Sequence, residues 1–288
     1  MRRKHLAPDG RLKSGLKLIG SKTGNKTISG RSKIYQLEPP GVTRFVELFL
    51  GSGGVLVGKD AHKDEYVIDI NNHVINFFKC LQSRPKELWY AIFRLMGDEF
   101  KFDRDRFNEL RKSPPTDELE LAAWYYIINK HARNGIIRYN LKGVCNSTFG
   151  GEAGNRGIFN KEWYKLVYRR IKNVRFGSGN YLRLLAYLKR KGKLDKKTWI
   201  VADPPYSRVF TMYDKVRFSD KDHVKLKEAL EQSGAYWLLT INDNKFIRKL
   251  YKGYNIIEHN IHYCCSNTNK GRGPRSELII TNYDCTLG

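Results

Sequence analysis

The stretch Thr43–Gly54, TRFVELFLGSGG, decides the fold of the chain. Its first eight residues are mostly apolar, which is typical of a buried β-strand. That strand runs directly into Gly51-Ser52-Gly53-Gly54, and a strand that feeds a glycine turn is how a nucleotide-binding βα unit begins. A dinucleotide fingerprint would have its third glycine at position 56, where this chain has leucine, so NAD binding is disfavoured. A tight turn without a ligand stays open as the alternative.

A second strand is predicted at Glu65–Ile70, EYVIDI, at the spacing of a βαβ crossover. It carries Asp69 near its end, 18 residues after Gly51. In nucleotide-binding α/β folds the second strand brings a carboxylate beside the first glycine turn, where the carboxylate meets ribose hydroxyls. The spacing therefore favours a cofactor with a nucleoside part.

The α/β pattern resumes much later, with a strand at Thr198–Ala202 and a helix whose Ser219 and Asp222 form a capping box. Further strands are predicted at Tyr236–Thr240, Ile256–His262 and Glu277–Thr281. We expect the last two to pair antiparallel and to close the sheet. The fold class is therefore α/β, with a sheet that ends in a C-terminal antiparallel strand pair.

The interval between Asp69 and Asp203 is 134 residues, whereas two strands with their helices need about 60 on a ~30-residue βαβ estimate. About half of the interval is therefore predicted to be an inserted subdomain. Its sequence is basic and aromatic, with helices predicted at Val74–Leu81, Pro85–Met96 and Asp117–Lys130. The apolar stripe of the third helix indicates packing, and Asn134–Gly143 indicates two short strands around a turn.

The composition indicates a folded protein with a polyanionic partner. The chain has 288 residues, a formal net charge of +24 and 41% hydrophobic residues, too many for a disordered tail. The charge favours nucleic acid, and the aromatic residues interleaved with basic ones in Trp163–Arg170 support that interpretation. The longest apolar run, Leu121–Ile128, is too short to cross a membrane, and the first residues lack an apolar signal core. With five cysteines and no CxxC pair, we expect a soluble cytoplasmic protein without disulfides.

A metal site is the weaker alternative. His259, His262, Cys264 and Cys265 are metal-capable residues within seven positions. The two histidines would point to opposite faces of a strand, and adjacent cysteines rarely close one tetrahedral site. We therefore predict no metal.

Asp203-Pro204-Pro205-Tyr206 directly follows the strand at Thr198–Ala202 and is the sharpest chemical signal in the sequence. Two consecutive prolines hold the backbone extended and lack N–H groups. The Asp203 carboxylate and the neighbouring carbonyls are therefore presented as hydrogen-bond acceptors, while Tyr206 offers a ring face. Such a site suits an amino group on a flat aromatic ring.

The sequence resembles the Dam-type, alpha-group adenine-specific DNA methyltransferases, which depend on S-adenosylmethionine. The resemblance follows the family's order from about residue 17 to residue 283 and rests on five segments. These segments are Phe45–Gly53, Val67–Asn71, Asn134–Gly143, Asp203–Tyr206 and Glu277–Tyr283. It implies a Rossmann-like class I methyltransferase sheet, with an inserted, mainly helical DNA-recognition subdomain that carries a β-hairpin.

The resemblance also implies roles for the site residues. Asp203 and the Pro204 carbonyl would accept hydrogen bonds from the target amino group, with Pro205 between them and Tyr206, which would stack on a flipped base. The implied cofactor is S-adenosylmethionine, whose ribose hydroxyls would meet Asp69. The implied cofactor-binding residues are Lys22, Lys26, Phe49, Gly51, Ser52, Gly53, Asp69, Ile70 and Asp203.

Lys22 and Lys26 enter this set through a Gly-Gly-Lys element that the family has near its N-terminus. Two registers of this sequence compete, Lys17–Lys22 and Lys22–Lys26. We prefer the second, because a predicted short helix at Ile28–Leu37 then leads to the first strand at the family's spacing. Lys26 would contact the cofactor and the target site, and Lys22 would take a position that is often aromatic in the family.

The resemblance assigns DNA reading to the predicted hairpin and its surroundings. Arg138 and Asn140 would read base edges, since Arg pairs with guanine and Asn with adenine, while capping or phosphate contact stays the alternative. Departures from the family pattern at Arg133, Ser147 and Thr148 leave the recognised sequence open, with GATC as one candidate. The implied DNA-binding residues are Arg133, Asn134, Arg138, Tyr139, Asn140, Lys142 and Asn146.

The expected layout is a basic arm over residues 1–16, a catalytic domain over 17–76 and 186–288, and a DNA-recognition subdomain over 77–185. The expected activity is methylation of adenine N6 in a short duplex motif, by a monomer or weak dimer, with a companion restriction endonuclease as an optional partner. Two alternatives remain. An RNA or protein-glutamine methyltransferase commonly carries Asn at the position of Asp203, and an inactive nucleic-acid-binding relative would not need Asp69, Asp203 and Tyr206 intact.

Overall fold

The computed structural model describes residues 15–16, 33–97, 102–140, 143–151, 160–206, 218–263 and 273–285. Three of the predicted site residues, Lys22, Lys26 and Lys142, lie outside these ranges, as does most of the predicted basic arm. Within the described ranges, no helix is both long enough and apolar enough to cross a membrane.

Helices alternate with strands near both ends of the chain, and helices dominate its middle. The helices are α1 (Lys33–Gln36), α2 (Gly54–Gly58), α3 (Asn72–Ser83), α4 (Pro85–Met96), α5 (Arg104–Lys112), α6 (Glu118–His131), α7 (Lys161–Ile171), α8 (Tyr181–Arg190), α9 (Asp220–Glu231) and α10 (Lys245–Leu250). The strands are β1 (Arg44–Glu47), β2 (Asp64–Asp69), β3 (Val174–Ser178), β4 (Thr198–Ala202), β5 (Tyr236–Asn242), β6 (Asn255–Tyr263) and β7 (Gly273–Thr281). The predicted capping box of Ser219 and Asp222 is present at the start of α9.

The described strands form one seven-stranded sheet in the order β3-β2-β1-β4-β5-β7-β6. Strand β1 pairs in parallel with β2 and β4, and β4 pairs in parallel with β5. Strand β7 pairs antiparallel with β5 and β6, which confirms the predicted C-terminal antiparallel pair. The direction of strand addition reverses between β1 and β4. Open α/β sheets bind ligands outside the carboxyl ends of their strands at such a point.

The chain separates into two compact units. The sheet unit contains Gly24–Leu50, Lys59–Ile70 and Gly177–Gly288. The helical unit contains Gly51–Gly58 and Asn71–Phe176, together with the N-terminal residues up to Thr23. The predicted insertion, residues 77–185, overlaps the helical unit over residues 77–176.

The core of the sheet unit forms because alternate strand residues share one face of the sheet. Val46 and Leu48 on and after β1, with Ile200 on β4, belong to one buried apolar cluster. Helices α8 and α9 add the buried side chains of Leu185, Leu188, Leu226 and Leu230 to it. Each fully buried aliphatic side chain of this kind contributes about 1.5–3 kcal/mol to stability. The layer thus holds the strand ends rigidly.

Helix α6 is the centre of the helical unit, where α3, α4 and α5 all contact it. Asp117 caps its first turn by accepting hydrogen bonds from the Leu119 and Glu120 N–H groups. Trp124 is fully buried, and its indole N–H donates to the Leu110 carbonyl at 2.8 Å. The apolar stripe of this helix therefore packs the unit, as the sequence indicated.

The segment after α6 differs from its prediction. We predicted two short strands around a turn within Asn134–Gly143, but Arg133–Gly135 form a 3-10 turn. Asn134 sits there in the left-handed region, with φ of 57°. A short polar side chain tolerates that region better than most residues do, so an Asn-Gly pair also suits a tight turn outside a hairpin.

Antiparallel pairing is nevertheless present in this part of the chain. Isolated bridges join Ala132 to Phe149 and Tyr139 to Cys145. At its tip the Asn140 N–H donates to the Val144 carbonyl at 2.9 Å. We refer to residues 132–140 and 143–149 as the reading loop, because the sequence analysis predicts DNA-reading residues there. Single bridges hold this loop rather than a continuous ladder. A segment of this kind does not need the alternating apolar pattern by which a strand is recognised in a sequence.

The aromatic residues of α7 are part of the helical unit's interior. Trp163 and Tyr164 are buried, and the Tyr164 hydroxyl donates to the Pro85 carbonyl at 2.8 Å. Lys165 and Arg169 on the same helix are exposed. The interpretation of Trp163 and Tyr164 as part of a nucleic-acid surface is therefore wrong, since their rings pack the interior while Lys165 and Arg169 face solvent.

Candidate active site

Three strand ends of the sheet unit carry predicted site residues. Phe49 follows β1, Asp69 ends β2, and Asp203 follows β4. Beyond β1, the Leu48 N–H donates to the Val201 carbonyl at 3.0 Å and the Leu50 N–H to the Ile68 carbonyl at 3.2 Å. The chain after β1 therefore stays bonded to both neighbouring strands, and the sheet brings the ends of β1, β2 and β4 together at the reversal of strand order.

Asp203 is half-buried and is bonded to β5. In the parallel register Ala202 lies opposite Leu239, so the following residues, Asp203 and Thr240, are neighbours. The Thr240 hydroxyl donates to Oδ1 of Asp203 at 2.6 Å, and Thr240 is only 1% exposed. The carboxylate therefore has a defined orientation before any ligand arrives.

Tyr206, at the other end of the Asp-Pro-Pro-Tyr segment, is bonded to β7, two strands away from β4. Its hydroxyl donates to Oε1 of Glu277. Glu277 is 3% exposed, although the residues that follow it on β7 are apolar. Between the two ends, Pro204 is buried and Pro205 is exposed.

The sequence analysis missed Thr240 and Glu277. Thr240 lies between apolar residues of β5 and Glu277 directly precedes an apolar run of β7, and only the pairing register brings each next to the segment. A usable signal exists at Glu277, since an acid at the start of the buried run Leu278–Ile280 costs free energy unless it has a partner.

Phe49 lies among aromatic rings at the end of β1. Its ring centroid is 5.3 Å from that of Tyr181 and 5.8 Å from that of Phe218. Phe218 in turn meets the buried His223 edge-on at 4.7 Å. Burial raises the pKa of Tyr181 to about 12 and lowers the pKa of His223 to about 4, so both side chains are neutral near pH 7. This corner of the site is therefore an uncharged aromatic surface.

The end of β2 combines an acid with an exposed apolar side chain. Asp69 is half-buried, and Ile70 is 53% exposed. The Asp69 carbonyl accepts a hydrogen bond from the Gly179 N–H at 2.9 Å, which ties this end of β2 to the turn after β3. A carboxylate suits sugar hydroxyls and an aliphatic face suits a nucleobase, so the pair fits a nucleoside.

Packing within the helical unit shapes the glycine turn. Gly51 and Gly53 have φ values of 53° and 74°, which glycine adopts without strain. A Cβ atom at Gly53 would lie 2.6 Å from Cζ of Phe78 on α3. Ser52 is buried between the two glycines. Gly51, Ser52 and Gly53 thus belong to the helical unit, whereas Phe49, Asp69, Ile70, Asp203 and Tyr206 belong to the sheet unit.

The predicted DNA-reading residues that the structure describes lie on the reading loop. The exposed ones are Arg133, Asn134, Tyr139, Asn140 and Asn146. Arg138 is half-buried, and its backbone N–H donates to the buried Ser147 hydroxyl at 2.9 Å. Its carbonyl accepts from the Asn146 N–H, also at 2.9 Å. Two hydrogen bonds therefore fix the backbone at Arg138, while polar side chains around it face solvent.

Tyr139 ends a stack of three rings. The His73 ring centroid lies 5.7 Å from that of Tyr125 and 6.1 Å from that of Tyr139, with nearly parallel planes. Burial lowers the pKa of His73, which favours the neutral imidazole in this stack. Tyr139 is 38% exposed, so a large aromatic surface on the reading loop stays accessible.

Proteins similar to this chain are DNA-modifying enzymes. A family model described as D12 class N6 adenine-specific DNA methyltransferase matches residues 23–263. The chain is 27% identical to the type II methyltransferase M.MjaIII of Methanocaldococcus jannaschii, over 94% of this chain and 99% of that protein. It is 26% identical to the type II methyltransferase M1.LlaDCHI of Lactococcus lactis subsp. cremoris, over 87% of this chain and 90% of that protein. It is also 26% identical to the DNA adenine methylase of Serratia marcescens, over 81% of this chain and 87% of that protein.

The family match spans most of the chain and includes all three strand ends described above. The sheet order, with its antiparallel pair at the C-terminal end, is consistent with a Rossmann-like methyltransferase fold. The chain therefore belongs to the D12 class N6 adenine-specific DNA methyltransferase family.

Proposed function

We propose that the chain transfers the methyl group of S-adenosylmethionine to N6 of an adenine that is flipped out of duplex DNA. The observation that carries the proposal is the half-buried Asp203 carboxylate, which Thr240 orients at the reversal of strand order. Membership of the family accounts for methylation of adenine in DNA. The donor, the flipped base and the residues in the following steps are our proposal.

Asp203 and the Pro204 carbonyl accept hydrogen bonds from the target amino group. The lone pair of that amine is conjugated into the purine, and acceptors that favour a more tetrahedral nitrogen make it a better nucleophile. A charge-assisted hydrogen bond of about 1.5–3 kcal/mol corresponds to about a tenfold to hundredfold rate gain if it forms only in the transition state. The methylated amine is acidic enough to lose its proton afterwards, so the site needs no strong general base.

S-adenosylmethionine supplies the electrophilic methyl group when it is bound. The strand ends fit this donor: the Asp69 carboxylate suits ribose hydroxyls, Ile70 suits the adenine ring, and Phe49 suits the methionine part. The resemblance to the family adds Gly51, Ser52 and Gly53 of the turn, with Lys22 and Lys26, to the proposed cofactor-binding set.

The target base stacks on Tyr206 in this proposal, and the reading loop selects the site. Flipping a base costs a few kcal/mol of unstacking, which attraction between the phosphates and a chain of net charge +24 helps to offset. Arg138 and Asn140 are the proposed base readers, and Arg133, Asn134, Tyr139 and Asn146 lie on the same loop. Lys142, which is outside the described residues, completes the proposed DNA-binding set. GATC is one candidate for the recognised sequence.

We also propose a partner for this chain. Two of the relatives are named type II methyltransferases, which supports a companion restriction endonuclease. A cytoplasmic location and a monomeric or weakly dimeric state stay predictions from the sequence.

The test is transfer of tritiated methyl from S-adenosylmethionine to unmethylated duplex DNA, followed by nucleoside analysis and sequencing of the modified positions. We expect N6-methyladenine at one short motif. Label in RNA or protein, with none in DNA, would overturn the proposed substrate.

A further inference from the structure

The Asp-Pro-Pro-Tyr segment has no backbone hydrogen-bond donor at its centre. Pro204 and Pro205 have no N–H group, so neither can donate to a neighbouring strand. Side chains of β5 and β7 contact the two ends of the segment instead, with Thr240 bonded to Asp203 and Glu277 bonded to Tyr206. Side-chain hydrogen bonds therefore hold this segment against the sheet, whereas backbone hydrogen bonds hold the strands.

The contact at Asp203 has the geometry of a strong hydrogen bond. Its oxygen–oxygen distance of 2.6 Å lies in the range of a hydroxyl bonded to a carboxylate. Thr240 is almost completely buried and β-branched, so its hydroxyl has little freedom to turn away. This bond limits rotation of the carboxylate about its own axis.

The contact at Tyr206 uses a buried carboxylate that stands directly before an apolar run of β7. Glu277 is 3% exposed and precedes Leu278, Ile279 and Ile280, which are at most 1% exposed. Burial of an acid is costly unless the acid has partners, and an apolar residue would suit this position of the strand better. The position is explained if the carboxylate serves the tyrosine that donates to it.

We propose that Thr240 and Glu277 are positioning residues of the methyl-transfer site. Thr240 sets the orientation of the Asp203 carboxylate toward the amino group, and Glu277 sets the orientation of the Tyr206 ring toward the base. The inference rests on the proposed function, because it assigns a task within the same site. Both residues act through the segment, without a contact of their own to the substrate.

The two residues are expected to affect different steps. A misoriented Asp203 accepts the amino hydrogen bond poorly in the transition state, so loss of the Thr240 hydroxyl lowers kcat and leaves KM for DNA unchanged. A misoriented Tyr206 receives the flipped base poorly, so loss of the Glu277 carboxylate changes base placement as well as rate.

Thr240→Val tests the first contact, because it removes the hydroxyl and keeps the shape of the side chain. We expect kcat to fall about tenfold to a hundredfold, the range of one hydrogen bond to a charged group. Thr240→Ser, which restores the hydroxyl, should recover most of the rate. Thr281→Val is the matched control, since Thr281 is equally buried on β7 and its hydroxyl donates to the Tyr283 carbonyl, away from the segment.

Glu277→Leu and Tyr206→Phe test the second contact from both sides. Each removes one partner, and Glu277→Gln keeps an acceptor of similar shape. We expect both single variants to lower kcat about tenfold, the double variant to be no slower than either, and Glu277→Gln to recover most of the rate. Fluorescence of 2-aminopurine at the target position reports base placement directly, and its change on binding should be smaller in Glu277→Leu than in the wild type.

The outcomes separate the two proposals. A wild-type chain that transfers no methyl group to DNA would overturn the proposed function, and this inference with it. An active wild type in which Thr240→Val or Glu277→Leu keeps full kcat would overturn the inference alone. Equal losses in Thr240→Val, Thr240→Ser and Thr281→Val, with matching losses of thermal stability, would also overturn it, because they would indicate general damage to the sheet.

Discussion

The Asp-Pro-Pro-Tyr segment and the reading loop are both irregular, but they are held in opposite ways. The segment has its functional side chains bonded to the buried residues Thr240 and Glu277. The reading loop has its backbone bonded through two isolated bridges and through Ser147, while most of its polar side chains face solvent.

This difference matches the demands of two tasks. Chemistry needs one fixed arrangement of acceptors, and fixed donors and acceptors lower a barrier without reorganisation. Reading different DNA sequences needs exposed side chains that can be replaced without unfolding their support. We therefore predict that the reaction and its target sequence are separable properties of this chain, and variants of either region can test that separation.

The largest effect is expected from the Asp-Pro-Pro-Tyr segment. Asp203→Ala removes the charged acceptor, so we expect methyl transfer to fall about a hundredfold or more. DNA affinity should stay within about threefold of the wild type, as the reading loop is untouched. Filter assays of methyl transfer and fluorescence anisotropy with the same duplex measure both. Unchanged transfer would contradict the proposed role of Asp203.

A pH effect on stability should follow from His223 near the same site. Neither of its ring nitrogens has a hydrogen-bond partner among the described residues, and burial lowers its pKa from 6.5 to about 4. Between these pH values the unfolded chain binds a proton that the folded chain does not, so stability is fully present above pH 6.5 and falls on acidification toward pH 4. The loss amounts to about 3 kcal/mol.

Urea unfolding from pH 7 to pH 4 checks this prediction. His223→Leu is the control, because it keeps an apolar side chain of similar size against Phe218 and cannot titrate. Its stability should depend less on pH than that of the wild type. Identical profiles for the two proteins would show that His223 does not cause the acid sensitivity.

A smaller effect, on binding rather than rate, is expected from the reading loop. Arg138→Ala should weaken binding to the preferred motif by about 1–3 kcal/mol and relax discrimination at one base pair. The kcat at saturating DNA should change little, since the side chain is outside the sheet unit. Competition binding with single-base-pair variants measures the discrimination. Arg104→Ala, an exposed arginine on α5, is the control for loss of one positive charge.

The smallest effect is expected from the support of the loop. Ser147→Ala removes the buried acceptor of the Arg138 N–H and should cost about 1 kcal/mol of stability. We expect a lower discrimination between DNA motifs and an unchanged kcat at saturating DNA. A fall in kcat as large as that of Thr240→Val would show that the two regions are not separable.

The sequence predicts well the strands that carry the proposed catalytic residues, for a physical reason. Strands that are buried on both faces read as apolar runs, so Thr198–Ala202 was predicted with its observed bounds, and Asp203 follows at once. Asp69 could be predicted equally well, because its distance from the glycine turn is counted directly along the sequence. Both residues can therefore be located from the local order of the sequence alone.

The residues that depend on pairing could not be predicted in the same way. Thr240 lies beside Asp203 only because β4 and β5 are neighbours in one particular register, and a slip of one residue would turn its side chain to the other face. Strand β3 was missed because its sequence, VRFGS, includes a glycine and only one of its five residues is fully buried. The two short strands predicted within Asn134–Gly143 were misplaced, since Asn-Gly is a turn signal in many contexts and here forms a 3-10 turn.

The contact between Gly53 and Phe78 bears on how such sequences should be classified. A Cβ atom at position 53 would meet an aromatic ring of α3, so the interior of the helical unit requires glycine there whether or not a cofactor binds. A relative that had lost the reaction would keep this glycine for as long as it kept the packing. If Asp203 and Thr240 act as we propose, the paired presence of an acid at position 203 and a hydroxyl at position 240 is the better criterion for separating active members from inactive ones.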